Sequence, residues 1–137
     1  MDASAQRITA QDARRILAAT GFAPWWGFDV ESVGAGTATL RLPHRVELER
    51  PGGLLQGAAV MALADTAFWL AAMTVIGEEL MAVTLEMKTN FLKGAKGALR
   101  GEARVLQAGR RVVYGEASCF DASAKRVSHH TLTYLLP

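Results

Sequence analysis

The sequence predicts an α+β domain in which an antiparallel β-sheet is wrapped around one central apolar α-helix. Three observations carry that expectation. The sixteen residues from Ala58 to Met73 hold only two polar side chains, Asp65 and Thr66, and a helix apolar on every side must be surrounded by other material. Four segments of strand length follow it with short connections between them, which makes successive strands antiparallel neighbours. In one of these, Arg100, Glu102 and Arg104 alternate with Leu99, Ala103 and Val105, so that strand has one wet face. A half-wet sheet beside an all-apolar helix buries its dry face by curling around it.

The elements follow in order. Thr9-Ala10-Gln11-Asp12 resembles a capping box, Ile16 and Leu17 supply apolar contacts, and Gly21 and Pro24 stop the helix. This gives a peripheral helix over about residues 10–20, within an N-terminal segment 1–24. Trp25 to Val33 and Thr37 to Leu42 read as hairpin strands around Gly34-Ala35-Gly36, because polar and apolar residues alternate in the second. Pro43 to Gly53 is irregular and leads into the helix at Ala58 to Met73. The later strands span Met81 to Leu92, Ala98 to Gln107, Arg111 to Phe120 and Arg126 to Leu136.

Composition narrows the function classes. The chain has 137 residues, half of them apolar and 20% charged, which excludes disorder and predicts a single domain over residues 1–137. Fifteen Lys and Arg against 13 Asp and Glu leave a formal charge of +2, with no block of like charges, so no nucleic-acid partner is expected. Lipid is excluded around the apolar helix, since the run falls short of about 20 residues. A mid-span Asp would also cost roughly 2.5–3.5 kcal/mol. One cysteine, Cys119, excludes a disulfide framework and a multi-cysteine metal site, and fits a reducing, cytoplasmic setting. The polar start Met1 to Arg7 lacks the apolar core of a signal peptide.

Asp65 is the residue that asks for a reason. A carboxylate in the most apolar stretch is costly unless it is paired or hydrogen-bonded. It is either a catalytic carboxylate whose pKa desolvation raises, or a residue that caps a neighbouring backbone segment or packs at a wet subunit interface. Upstream, Pro51-Gly52-Gly53-Leu54-Leu55-Gln56-Gly57 brings small residues to the helix start. The free N–H groups there can hold an oxyanion, although Gly52 and Gly53 also suit a plain tight turn. Eight residues at 1.5 Å each separate Gly57 from Asp65 by about 12 Å, whereas groups acting on one carbonyl must lie about 3 Å from it. If both act on one carbonyl, they come from different subunits, as two antiparallel helices around a two-fold axis would arrange.

The residues Gln56-Gly57, Ala62-Leu63-Ala64-Asp65-Thr66-Ala67-Phe68 and Val83-Thr84-Leu85-Glu86-Met87-Lys88-Thr89-Asn90-Phe91-Leu92 resemble the hotdog-fold acyl-CoA thioesterases of the phenylacetate-degradation type. The likeness runs over roughly Glu47 to Pro137. It implies that Asp65 is the general base or nucleophile, that the Gly57 amide polarises the thioester carbonyl, and that Thr84 positions the water. Asp65 and Thr84 would come from one subunit, with Gln56 and Gly57 from the other, in a homodimer or homotetramer. Two positions depart from the family pattern. Gln56 replaces a His, so it can donate a hydrogen bond but carry no proton. Arg50 replaces an Asn, so a cation is available there for carboxylate or phosphate.

Thr84, Glu86, Lys88 and Asn90 are expected on one strand face, with Val83, Leu85, Met87 and Phe91 on the other. Phe68 and Trp69 follow Asp65 by three and four residues and could wall an acyl pocket or simply pack the core. Trp25 and Trp26 could edge it. Arg110 and Arg111, with Lys93 and Lys96, are candidates for the coenzyme A phosphates, and Gly53 for close backbone approach. His129 and His130 point to opposite faces of a strand and Cys119 reads as a packed small residue. No metal and no cofactor beyond the coenzyme A of the substrate is expected. The rival from another class is a non-catalytic acyl-CoA-binding module, favoured by Gln56.

Overall fold

A computed structural model describes residues 5–137. Helix α1 (Ala10–Ala18) begins at Thr9, whose hydroxyl accepts from the Asp12 amide at 3.1 Å while the Asp12 carboxylate accepts from the Thr9 amide at 2.8 Å. The capping box read from the sequence therefore forms. Residues 1–4 of the polar N-terminus lie outside the described chain.

The next segment departs from expectation. Trp25 to Phe28 is not strand: a one-and-a-half-turn helix α2 (Phe22–Trp26) ends at Gly27, which is left-handed at φ 83°, and strand β1 (Asp29–Gly34) starts only then. Glycine bears that conformation without strain, so it stops the helix and turns the chain into the sheet. Strand β2 (Thr37–Leu42) completes the hairpin. A single 3-10 turn (Val46–Leu48) and the two-residue strands β3 (Glu49–Arg50) and β4 (Leu54–Leu55) lead to the long helix α3 (Gly57–Ile76). Four strands follow, β5 (Val83–Phe91), β6 (Leu99–Ala108), β7 (Val112–Phe120) and β8 (Arg126–Leu135).

The main sheet is antiparallel in the order β1-β2-β6-β7-β8-β5. It wraps α3, with Leu63, Phe68, Leu70 and Met73 fully buried against Leu40, Leu99, Val113 and Leu132. This is the hotdog arrangement. The helix is 20 residues long, longer than the apolar run, so length does not separate it from a membrane span; its burial within its own sheet does. Its end is tied down by Thr74, whose hydroxyl donates to the Ala71 carbonyl at 2.6 Å and accepts from the Gly36 amide at 2.8 Å.

One side of α3 is not covered. Ala58, Met61, Ala62 and Asp65 recur at helical spacing and stay only partly shielded or exposed, alongside the edge strand β5, on which Val83 and Leu85 are 53% and 60% exposed. The simple alternation expected along β5 also fails. The register with β8 shifts between Thr84 and Glu86, so that Thr84 faces Tyr134, Met87 faces Leu132 and Thr89 faces His130. The bulge at Leu85 moves Thr84 off the face of Glu86, Lys88 and Asn90 and onto the inward face.

Candidate active site

The bulge has a chemical result. Turned inward, the Thr84 hydroxyl donates to Asp65 Oδ1 at 2.7 Å. Tyr134, directly across from Thr84 on β8, donates to the same Oδ1 at 2.7 Å and shares its proton with the Asp65 main-chain oxygen at 2.9 Å. Among the described residues no protein donor reaches Oδ2. Asp65 is half-buried, so the helix's composition overstates its burial: the carboxylate sits on the one side of α3 that the sheet leaves open. Tyr134 is the residue the sequence reading missed. Tyr134 is 3% exposed, and burial, then the neighbouring Asp65, push its pKa far above the usual phenol value. It therefore remains a donor.

Asp65 opens into a cavity of about 260 Å³ walled by Phe22, Trp26, Trp69 and Tyr134. The rings are mutually supported, Phe22 lying 6.1 Å from Trp69 and Trp26 stacked on Phe28 at 6.1 Å. Of the sequence candidates, Trp69 and Trp26 line this cavity. Phe68 lies behind it in the core, 5.3 Å from the Tyr134 ring. Trp25 is outside, with the Arg45 guanidinium 5.4 Å above its ring.

The start of α3 opens elsewhere. Gly57 lines a second cavity of about 550 Å³, with Arg50, Leu54, Val60, Phe91 and Lys93 among its walls. Gln56 is the N-cap residue, extended at φ −69° and ψ 151°, and its side chain makes no capping bond, so the Gln56 amide group is left for other partners. Gly52 and Gly53 are left-handed at φ 98° and 74° in the turn between β3 and β4, the tight-turn role. Asp65 is not in this cavity, nor Gly57 in the other. One chain thus holds the carboxylate and the helix start apart, as the 12 Å separation requires.

The remaining candidates are dispersed. Arg110, Arg111 and Lys96 are exposed and line neither cavity. Lys93 is paired with Asp121 at 2.7 Å, which holds the Asp121 carboxyl below its usual range. His129 and His130 do face opposite sides of β8. His129 Nε2–H donates to the Glu116 carboxylate at 3.0 Å, while His130 is fully buried between Thr89 and Ser128 at 2.8 Å each. Burial lowers the His130 pKa to about 4 and raises that of Cys119 to about 11. Cys119 is therefore a packed thiol, not a thiolate nucleophile.

Comparison with known proteins points the same way. A Thermoplasma volcanium protein carrying a provisional esterase name is 32% identical over 126 residues, covering 91% of this chain and 94% of that one. A conserved protein of Pseudomonas aeruginosa superposes with a TM-score of 0.82 at 34% identity, covering 90% of this chain and 98% of that one. The Escherichia coli PaaI protein from the phenylacetic acid degradation operon shares the fold, with a TM-score of 0.84 at 21% identity over 93% of this chain and 91% of that one. Residues 52–128, which carry α3, strands β5 to β7 and the start of β8, match the Thioesterase superfamily. A helix gripped by an antiparallel sheet is thus the form this sequence shares with its relatives, and the chain belongs to the thioesterase superfamily.

Proposed function

We propose that the protein hydrolyses acyl- or aryl-CoA thioesters at sites formed between two subunits of a homodimer or homotetramer. The carrying observation is the Asp65 carboxylate, committed through Oδ1 to two hydroxyl donors with Oδ2 left for chemistry. In this reading Asp65 takes a proton from a water whose oxygen adds to the thioester carbonyl, or itself adds to that carbonyl to give an anhydride that water later cleaves to the free acid, and the carbonyl oxygen gathers charge facing the Gly57 amide of the partner copy. The coenzyme A thiolate then leaves. A positioned base contributes typically 10²–10⁴-fold and one oxyanion donor about 3–4 kcal/mol.

The open side of α3 and the exposed edge of β5 support a second copy as its cover, because an apolar, unpaired edge strand is otherwise a liability. Such a pairing brings one subunit's α3 start toward the other's Asp65. Arg50, which lines the larger cavity, suits the phosphates of coenzyme A. Aromatic walls beside Asp65 suit a compact or aromatic acyl group, as a phenylacetate-type enzyme would need. No cofactor enters this reading, and a cytoplasmic location goes with it.

The test is thiol release across short, long and aromatic acyl-CoA compounds by the wild type and by Asp65→Asn. Turnover lost in the variant with the oligomer preserved is the expected result, and equal turnover rejects the assignment. The second reading, an acyl-CoA-binding module without catalysis, is favoured by Gln56 standing where a proton-carrying His would be. It predicts ligand binding by the wild type with no thiol released.

A further inference from the structure

We infer that Tyr134 is a positioning residue of the reaction, which together with Thr84 assigns Asp65 Oδ2 as the oxygen that acts. The inference rests on the thioesterase reading above. A carboxylate on a half-open helix face has a broad, two-fold torsion about its last bond and presents either oxygen. Here that freedom is removed. Two hydroxyls converge on Oδ1 at 2.7 Å each, and the Tyr134 phenol also reaches the main-chain oxygen of the same residue at 2.9 Å. One phenol thus ties the carboxylate to the helix that carries it.

The phenol is itself held. Its ring packs on Phe68, 5.3 Å between centroids, and Phe68 fills the space over Gly115, where any added Cβ would meet its ring. The chain of support runs from the sheet backbone to the carboxylate without crossing solvent. Because Tyr134 keeps its proton, it donates across the whole working pH range. Oδ1 has its lone pairs engaged by two donors and is a poor base or nucleophile, so Oδ2 is the oxygen available to water or to the thioester.

Tyr134→Phe tests this, since it removes only the hydroxyl and leaves the ring on Phe68. With an acyl-CoA that the wild type hydrolyses, kcat falls roughly 10–100-fold, the scale of a small misplacement of a reacting group, while KM stays within about twofold. Thr84→Val, which keeps the side chain's shape at a solvent-accessible position, lowers kcat in the same sense with KM unchanged, and Thr84→Ser recovers most of that loss. A Tyr134→Phe variant with wild-type kcat, or one altered only in KM, overturns the inference. Absence of thiol release by the wild type from any acyl-CoA overturns the functional reading on which it stands, so the two failures are distinct.

Discussion

Gly57 and Asp65 lie on one helix yet open onto different cavities of the same chain. If the site is shared between subunits, two dead variants complement one another. Gly57→Pro removes the amide N–H at the first helical position, where proline is tolerated. Gln56 before it is already at ψ 151°, as a residue preceding proline should be. The exposed Phe91 ring, 3.0 Å from the position of an added Cβ, has room to turn aside. Gly57→Pro and Asp65→Asn are each expected to be inactive. Co-refolded in equal amounts, they regain about a quarter of wild-type activity, because half the dimers are mixed and each holds one intact site. A mixture as dead as its components places the whole site within one chain.

Gly115 supports the site from behind. A Cβ there would meet the Arg104 carbonyl oxygen and the Phe68 ring, and the first is backbone that cannot turn aside. Gly115→Ala is expected to cost about 1–3 kcal/mol of stability, the range for overpacking a filled core. Because Phe68 must shift and Tyr134 rests on it, kcat falls as well. Urea unfolding and steady-state kinetics on the same preparation check both; stability lost with kcat intact would show that Phe68 does not transmit the strain.

His130 gives the fold an acid-sensitive element. Its pKa is lowered from 6.5 to about 4 by burial, with His129 adding to the effect. The unfolded chain binds the proton more readily than the folded one, so stability is complete above about pH 6.5 and falls as pH drops toward 4. The loss is on the order of 3 kcal/mol. The carboxylates with lowered pKa, Asp12, Glu78, Glu116 and Asp121, act only below their ordinary values, in a more acid window. Urea midpoints at pH 7 and pH 5 should therefore differ clearly in the wild type and much less in His130→Gln. Parallel pH profiles for the two proteins would assign the sensitivity elsewhere.

How much of this was legible follows from what each signal depends on. The central helix and its carboxylate show in composition alone, because a run apolar on every side has to be buried whatever the topology. Strands β6 to β8 show through length and polar connections. The α2 helix does not show: Trp25 to Val33 carries bulky residues that suit a strand, and only the left-handed Gly27 separates helix from sheet. The position of Thr84 is hidden for a similar reason. A two-residue period has no way to register the bulge at Leu85, and that one extra residue decides which face Thr84 occupies. Tyr134 was unreadable because its role depends on the pairing of β5 with β8, a long-range fact, while locally it is one more apolar residue of a strand.

The cavity beside Asp65 carries the last prediction. Two of its aromatic walls, Phe22 and Trp26, belong to α2, which lies outside the residues 52–128 shared with the superfamily. Asp65 and Thr84 sit within those residues and Tyr134 just beyond them on β8, whereas part of the wall that an acyl group would meet is contributed by a short helix before them. Chemistry and selection are thereby carried by different parts of the chain, and the wall can change without disturbing the carboxylate. Phe22 is 46% exposed, so Phe22→Ala removes ring from the cavity mouth at little cost to folding. Trp26→Ala removes more, at some cost, since that ring also stacks on Phe28. Both variants are expected to raise kcat/KM for longer or bulkier acyl-CoA compounds relative to compact ones by about tenfold, the value of roughly one methylene-scale contact in a pocket. A panel of acyl-CoA compounds graded by chain length and ring content reads the change as a ratio, which is insensitive to any loss of folded protein. Identical ratios in wild type and both variants would mean that the acyl group does not enter this cavity, and would move it to the larger one at the start of α3.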